Sequence, residues 1–182
     1  MKTTARKAIL IAASLALILT LGFGSTWAQG ADVSVDQDFY VTVVPSSATF
    51  RIIPGFTQAN DTSVSLVNNK GGNCYLFVQI TNNMSGYVTY EPADDWTPLS
   101  DGVYYREISQ DSSQQTYRIL NTVTYSQNIS VSNMTSMTNP VLTFKAYMIS
   151  KTEELNSGEN TLTTAQSAWN IVSDSSTSTT TP

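Results

Sequence analysis

The chain has 182 residues, of which 13% are charged, with no histidine and one cysteine. The missing histidine excludes Ser-His-Asp and Cys-His nucleophilic sites and zinc sites of the H-E-x-x-H kind, and the lone Cys74 excludes an internal disulfide. Neither a G-x-x-x-x-G-K-[ST] loop nor a G-x-G-x-x-G turn is present, so no nucleotide cofactor is implied.

The first element is a leader. Lys2, Arg6 and Lys7 form a short basic region, and residues 8–21 follow as an apolar run, too short for a comfortable transmembrane span. Thr26 and Ala28, flanking Trp27, supply the small side chains that a signal peptidase needs three and one positions before its cut. Residues 1–28 are therefore read as a signal peptide cleaved after Ala28. The alternative is an uncleaved anchor, because residues 22–28 also carry no charge. Three of the nine basic residues precede the cut and all fourteen acids follow it, which leaves the mature chain at −8. An acidic surface without a basic stripe argues against nucleic acid and anionic lipid as partners.

Residues 29–172 are expected to form one domain, rich in β-strands. Residues 32–44, DVSVDQDFYVTVV, place Val33, Val35, Phe39, Val41 and Val43 on odd positions, the period of a half-buried strand. Asp36 and Asp38 stand mid-way and can divide it in two. Residues 48–53 form a shorter strand closed by Pro54-Gly55. Residues 63–67 and 73–81 are strands joined by NNKGG, which reads as a hairpin turn. In the second of them Cys74 alternates with Leu76, Val78 and Ile80, the placement of a buried, inert thiol.

Residues 87–90 are a short aromatic strand, and residues 91–102, EPADDWTPLSDG, read as a loop. Residues 103–108, 116–125, 129–131 and 141–149 resume strand character, the last with Leu142, Phe144, Ala146 and Met148 on one face. Eight or nine short strands imply an all-β, two-sheet sandwich. One segment changes period: Leu162, Ala165, Trp169 and Val172 recur at three, four and three, the stripe of a short C-terminal helix with threonine or serine to cap it. Residues 173–182 are a Ser/Thr-rich tail expected to be disordered.

Three kinds of site are conceivable. Glu91, Asp94, Asp95 and Asp101 could offer an acid and a base, or help hold calcium, although acids in a proline-bearing loop are more often solvated turn residues and no EF-hand spacing is present. Trp96 and Tyr104, with Tyr87, Tyr90 and Tyr105, are candidates for a ligand surface, since flat rings stack on sugars. An exposed Trp96 would favour adhesion, a buried one a scaffold. Asn60, Asn83, Asn128 and Asn133 begin N-x-[ST] triplets, read as turns and strand ends.

Several stretches together resemble the TasA/camelysin family of exported proteins with a SipW-type signal peptide. They are the glycine-rich run ending in Thr26-Trp27-Ala28, then NNKGGNCYLFVQI, DWTPLSDGVYYREI, and VLTFKAYMIS followed by AQSAW, in that order along the exported chain. Gln29 after the cut and Ser150 in the last strand depart from the family's pattern. The resemblance implies a jelly-roll-like β-sandwich, secreted to the cell surface or extracellular matrix of a Gram-positive cell, with signal peptidase as a partner and no stable membrane anchor after cleavage. It also implies a non-enzymatic fibre subunit whose freed N-terminal segment adds as a strand to the next copy of itself, or to a related matrix subunit. By position that donor lies in residues 29–44, with Val33, Val35, Phe39, Val41 and Val43 as its plugs. The same segment read on its own residues can equally pair within its own subunit. The runner-up is a monomeric adhesin or carbohydrate-binding module. A camelysin-like protease is a minority reading, because the residues provide no recognisable nucleophile or metal motif.

Overall fold

The computed structural model describes residues 12–21, 25–34, 40–44, 46, 53–67, 73–109, 116–130, 142–151 and 164–177. Among them the chain forms β1 (Ala12–Leu21), β2 (Ser25–Ser34), β3 (Tyr40–Val44), β4 (Thr57–Ala59), β5 (Ser63–Val67), β6 (Cys74–Asn82) and β7 (Val88–Pro92). There follow β8 (Thr97–Ser100), β9 (Val103–Ile108), β10 (Thr116–Arg118), β11 (Leu120–Tyr125), β12 (Leu142–Ser150) and a helix, α1 (Ala165–Thr177).

The strand whose sequence is apolar at successive positions, CYLFV, occupies the middle. β6 lies between β12 and β9 in a six-stranded sheet of order β1-β2-β12-β6-β9-β8. All its pairings are antiparallel except that of β2 with β12. Cys74, Leu76, Val78 and Ile80 of β6 and Leu142, Phe144, Ala146 and Met148 of β12 point to one side, into the main core. Tyr75, Phe77, Tyr147 and Ile149 point to the other side, against Ala165, Ala168 and Val172 of α1. A strand covered on both faces has no need of polar residues between its apolar ones.

The opposite layer consists of two three-stranded sheets, β10-β5-β3 and β4-β11-β7. They share one register, because Arg118 stands opposite Ser63 and Thr122 opposite Ala59. Residues 60–62 thus face residues 119–121 where the ladder breaks, and the layer is a four-stranded sheet with a kink. Asn60 explains the kink. Its backbone N–H still donates to Asn121 O (2.9 Å), and Ile119 N to Thr62 O (2.7 Å). Its side-chain Oδ1, however, captures Thr62 N–H at 2.7 Å. Ile119 O accepts instead from Ala93 N (2.9 Å), the residue at which the chain leaves β7 for the other sheet. A short side chain competing for a ladder donor is a recurrent way to bend a strand. Asn60 is buried, so its N-x-[ST] triplet is an interior feature.

The all-β sandwich with one short helix is therefore present, with several local differences from expectation. Residues 63–67 and 73–81 do not form a hairpin: β5 pairs with β3 and β10, whereas β6 lies in the other sheet. A hairpin would have left one apolar face of β6 without its partner layer. The loop expected at 91–102 contains β8, paired to β9 through a two-residue Asp101-Gly102 turn. β4 was not expected, and the strand expected at 48–53 lies outside the described residues apart from Ile53, which stands in a turn. Residues 129 and 130 are not strand.

α1 begins with Thr164 as its cap, the hydroxyl accepting Ser167 N–H at 3.1 Å. Trp169 stacks against Phe77 (5.4 Å) and edge-on to Tyr147 (5.3 Å). The helix continues to Thr177, five residues into the tail expected to be disordered. Leu162 lies outside the described residues. Among those residues, no helix is long and apolar enough to cross a membrane.

Among the described residues, two glycines adopt φ values that L residues avoid. At Gly102 (φ 69°) an added Cβ would lie 2.5 Å from the backbone oxygen of Ile80, whereas at Gly55 (φ 72°) it would meet only the Gln127 side chain, with Cγ at 2.8 Å. Gly102→Ala is expected to destabilise by about 3 kcal/mol, backbone strain plus an immovable contact. Gly55→Ala is expected to lose about 1 kcal/mol. Urea unfolding of the two variants checks the difference, and equal losses would contradict it.

Candidate functional site

The N-terminal segment is shared between the two layers. β2 runs parallel to β12, with Ala28 opposite Leu142 and Val33 opposite Tyr147. β3 runs antiparallel to β5, with Val41 opposite Leu66 and Val43 opposite Val64. Both of these valines are 3% exposed, in the main core. Val35 and Phe39, the other expected plugs, lie outside the described residues. The residues expected to direct cleavage fall within β2: Thr26 pairs with Thr20 of β1, and Ala28 with Leu19. Residues 12–21 of the apolar run expected to be a leader form β1, an outer strand of the large sheet.

At the opposite side of the sandwich the layers are closed by side chains. Trp96, a candidate for the ligand surface, is only 6% exposed, and its indole Nε1 donates to Arg118 O at 2.6 Å. Its ring belongs to the core and is not presented to a ligand. This corrects the ligand-surface expectation for Trp96, because the crossover from β7 turns inward at Ala93, whose carbonyl accepts Trp96 N–H at 3.1 Å. The Arg106 guanidinium lies 4.1 Å from the Tyr117 ring centroid and 5.7 Å from that of Trp96, and it reaches Asp95 at 3.2 Å. β9, β10 and the crossover are bolted together through this one cation.

Tyr104, the other candidate, is half-buried against the core and is hydrogen-bonded to Tyr90. Burial raises the Tyr90 phenol above its ordinary range, and Tyr104 and the charge of Asp101 raise it further.

Three of the four loop acids have separate partners. Glu91 accepts from Thr122 Oγ1 (3.0 Å), Asp94 from Asn121 Nδ2 (3.1 Å) and Asp95 from Arg106; Asp101 is exposed in its turn. Among the described residues, no group of three or more Cys, Asp or Glu is placed to hold a metal ion. Cys74 is fully buried, and burial pushes its thiol from 9.0 up to about 12, with Lys151 drawing it partly back. A thiol held neutral is neither a nucleophile nor a metal ligand at ordinary pH.

Comparison with family models, curated proteins and solved structures yields no match.

Two outcomes follow from this geometry. Trp96→Phe leaves the Arg118 carbonyl without its donor and is expected to lose about 1–3 kcal/mol of stability by chemical denaturation. Cys74 has a folded pKa above its unfolded one, so its neutral form stabilises fully below pH 9.0, and that contribution fades as pH rises towards about 12. Stability measured across that window should fall more steeply in the parent than in Cys74→Ala, by up to about 1.4 kcal/mol per pH unit. Parallel slopes would show that the thiol is not held neutral.

Proposed function

We propose that the chain is an exported structural subunit of a cell-surface or matrix fibre, akin to the fibre-forming members of the TasA/camelysin family it resembles. It assembles by passing its N-terminal segment to the next copy once residues 1–28 are removed. The observation that carries this reading is that the segment contributes to both sheets, β2 along β12 and β3 along β5. A segment so placed can be supplied by another copy while every other pairing stays unchanged. Head-to-tail addition of that kind does not close on itself, and so it makes fibres.

Cleavage is the switch in this scheme. Cutting after Ala28 takes away β1 and leaves residues 29–34 as the outermost strand, with one row of unpaired N–H and C=O groups. Two other outer strands, β7 and β8, carry Pro92 and Pro98, which remove donors and blunt those edges. The reading as a sugar-binding adhesin is weakened by the burial of Trp96, and that as a protease by the separate partners of Glu91, Asp94 and Asp95.

The test compares the full 182-residue chain with the chain cut to begin at Gln29, by electron microscopy and light scattering. Filaments are expected from the cut chain, with the uncut chain remaining monodisperse. Monomers from both would overturn strand donation.

A further inference from the structure

We propose that the bend at residues 60–62 is a binding site for one internal water molecule, held between the side-chain amide of Asn60 and the hydroxyl of Thr62.

The bend is a polar place in a largely apolar layer. Asn60 is 2% exposed and Thr62 1%, and Ser46 and Ser63 beside them are buried as well. Several hydrogen-bonding groups there find protein partners. Asn60 N–H donates to Asn121 O, Ile119 N–H donates to Thr62 O, Asn60 Oδ1 accepts from Thr62 N–H, and the Ser46 hydroxyl donates to Asp61. Two atoms at the bend are left over. Among the described residues, Asn60 Nδ2 and Thr62 Oγ1 are buried without a hydrogen-bond partner; the other side-chain atom in this position, Arg106 Nε, belongs to the Trp96 and Tyr117 cluster.

An amide hydrogen or a hydroxyl cut off from both solvent and protein is costly to bury, and native interiors rarely leave one so. Here two such atoms lie two residues apart, which gives them a common cause. The bond from Thr62 N–H to Asn60 Oδ1, 2.7 Å long, folds the Asn60 amide back over residue 62. Its Nδ2 and the Thr62 hydroxyl therefore stand on the same short turn.

The chemistry of the two atoms selects the occupant. Nδ2 can only donate, whereas Oγ1 can donate or accept. A cation would face the amide hydrogens, and an anion would stand one residue from the Asp61 carboxylate. A small neutral molecule that accepts from Nδ2 and bonds Oγ1 suits both, and that molecule is water. The Asn60 side chain draws Thr62 N–H out of the ladder, and the water joins the groups that this leaves unmet.

Removing the hydroxyl while keeping its outline tests the site. Thr62→Val in the full 182-residue chain retains the backbone bonds of residue 62 and the branched shape of its side chain. Loss of a bridged hydroxyl leaves the water one partner short, so the urea midpoint of unfolding is expected to fall below that of the parent, with the slope unchanged. A midpoint that stays or rises overturns the inference, because removing an unmet polar group from an interior is neutral or stabilising. A second measurement is independent of how the variant folds. A high-resolution crystal structure of the parent chain is expected to show a solvent peak within about 3.2 Å of both Asn60 Nδ2 and Thr62 Oγ1. Clear density without that peak, or either atom bonded to a protein group instead, overturns the inference whatever the midpoint does.

Discussion

The antiparallel pairing of β6 with β12 is the constraint on which the remaining structure depends. Nine consecutive positions are matched, from Cys74 opposite Ser150 to Asn82 opposite Leu142. Over residues 74–78 and 146–149 the two strands present apolar groups on both faces, so two covering layers are required there and a single one would not suffice. The four-stranded sheet covers one face and α1 the other. This arrangement lets an acidic chain without disulfides hold together: the ladder satisfies the backbone within a dry interior, and the side chains exclude water from either side.

Residues with a strict period were legible in the sequence, and those whose placement depends on a distant partner were not. The bounds of β5 and β9 follow from alternation and flanking turn residues, and β11 and β12 differ from expectation by a residue or by one break. The break at Ile119 was invisible because its cause, the Asn60 side chain, lies in another strand. Proline hid β8: Pro98 reads as a loop signal, yet it is compatible with an outermost strand because no neighbour needs its N–H. The NNKGG turn suggested a hairpin because local turn chemistry cannot say which sheet receives the next strand. In α1 the stripe of Ala165, Trp169 and Val172 was readable, while the fully buried Ala168 gave no signal, since alanine suits either face.

The candidate site divides in the same manner. The strand character of residues 40–44, with Val41 and Val43 inward, was readable from alternation. That β2 and β3 join different layers was not, because alternation is the same on either sheet. Trp96 in a loop rich in proline and acids looked like a surface ring. Its burial follows from the inward turn at Ala93 and from Arg106, whose cation supplies a polar partner at the seam without opening it to water.

The two long sides of the sandwich are therefore closed by different means. On the side of β7, β8 and β9, closure relies on Trp96, Arg106 and Tyr117 interlocked within one covalently continuous stretch, and undoing it would expose aromatic surface. On the side of β2 and β3, the N-terminal segment pairs with β12 in one layer and with β5 in the other, and its Val41 and Val43 are buried. Side-chain interlocks depend on the residues that make them, whereas a ladder is nearly indifferent to which copy supplies the strand. For a fibre subunit of the kind proposed, stable alone and joined to its neighbours, these two kinds of closure belong on opposite sides. In the proposed assembly the interlocked side would preserve the fold while the laddered side exchanges. That division of labour gives the proposed assembly its physical basis.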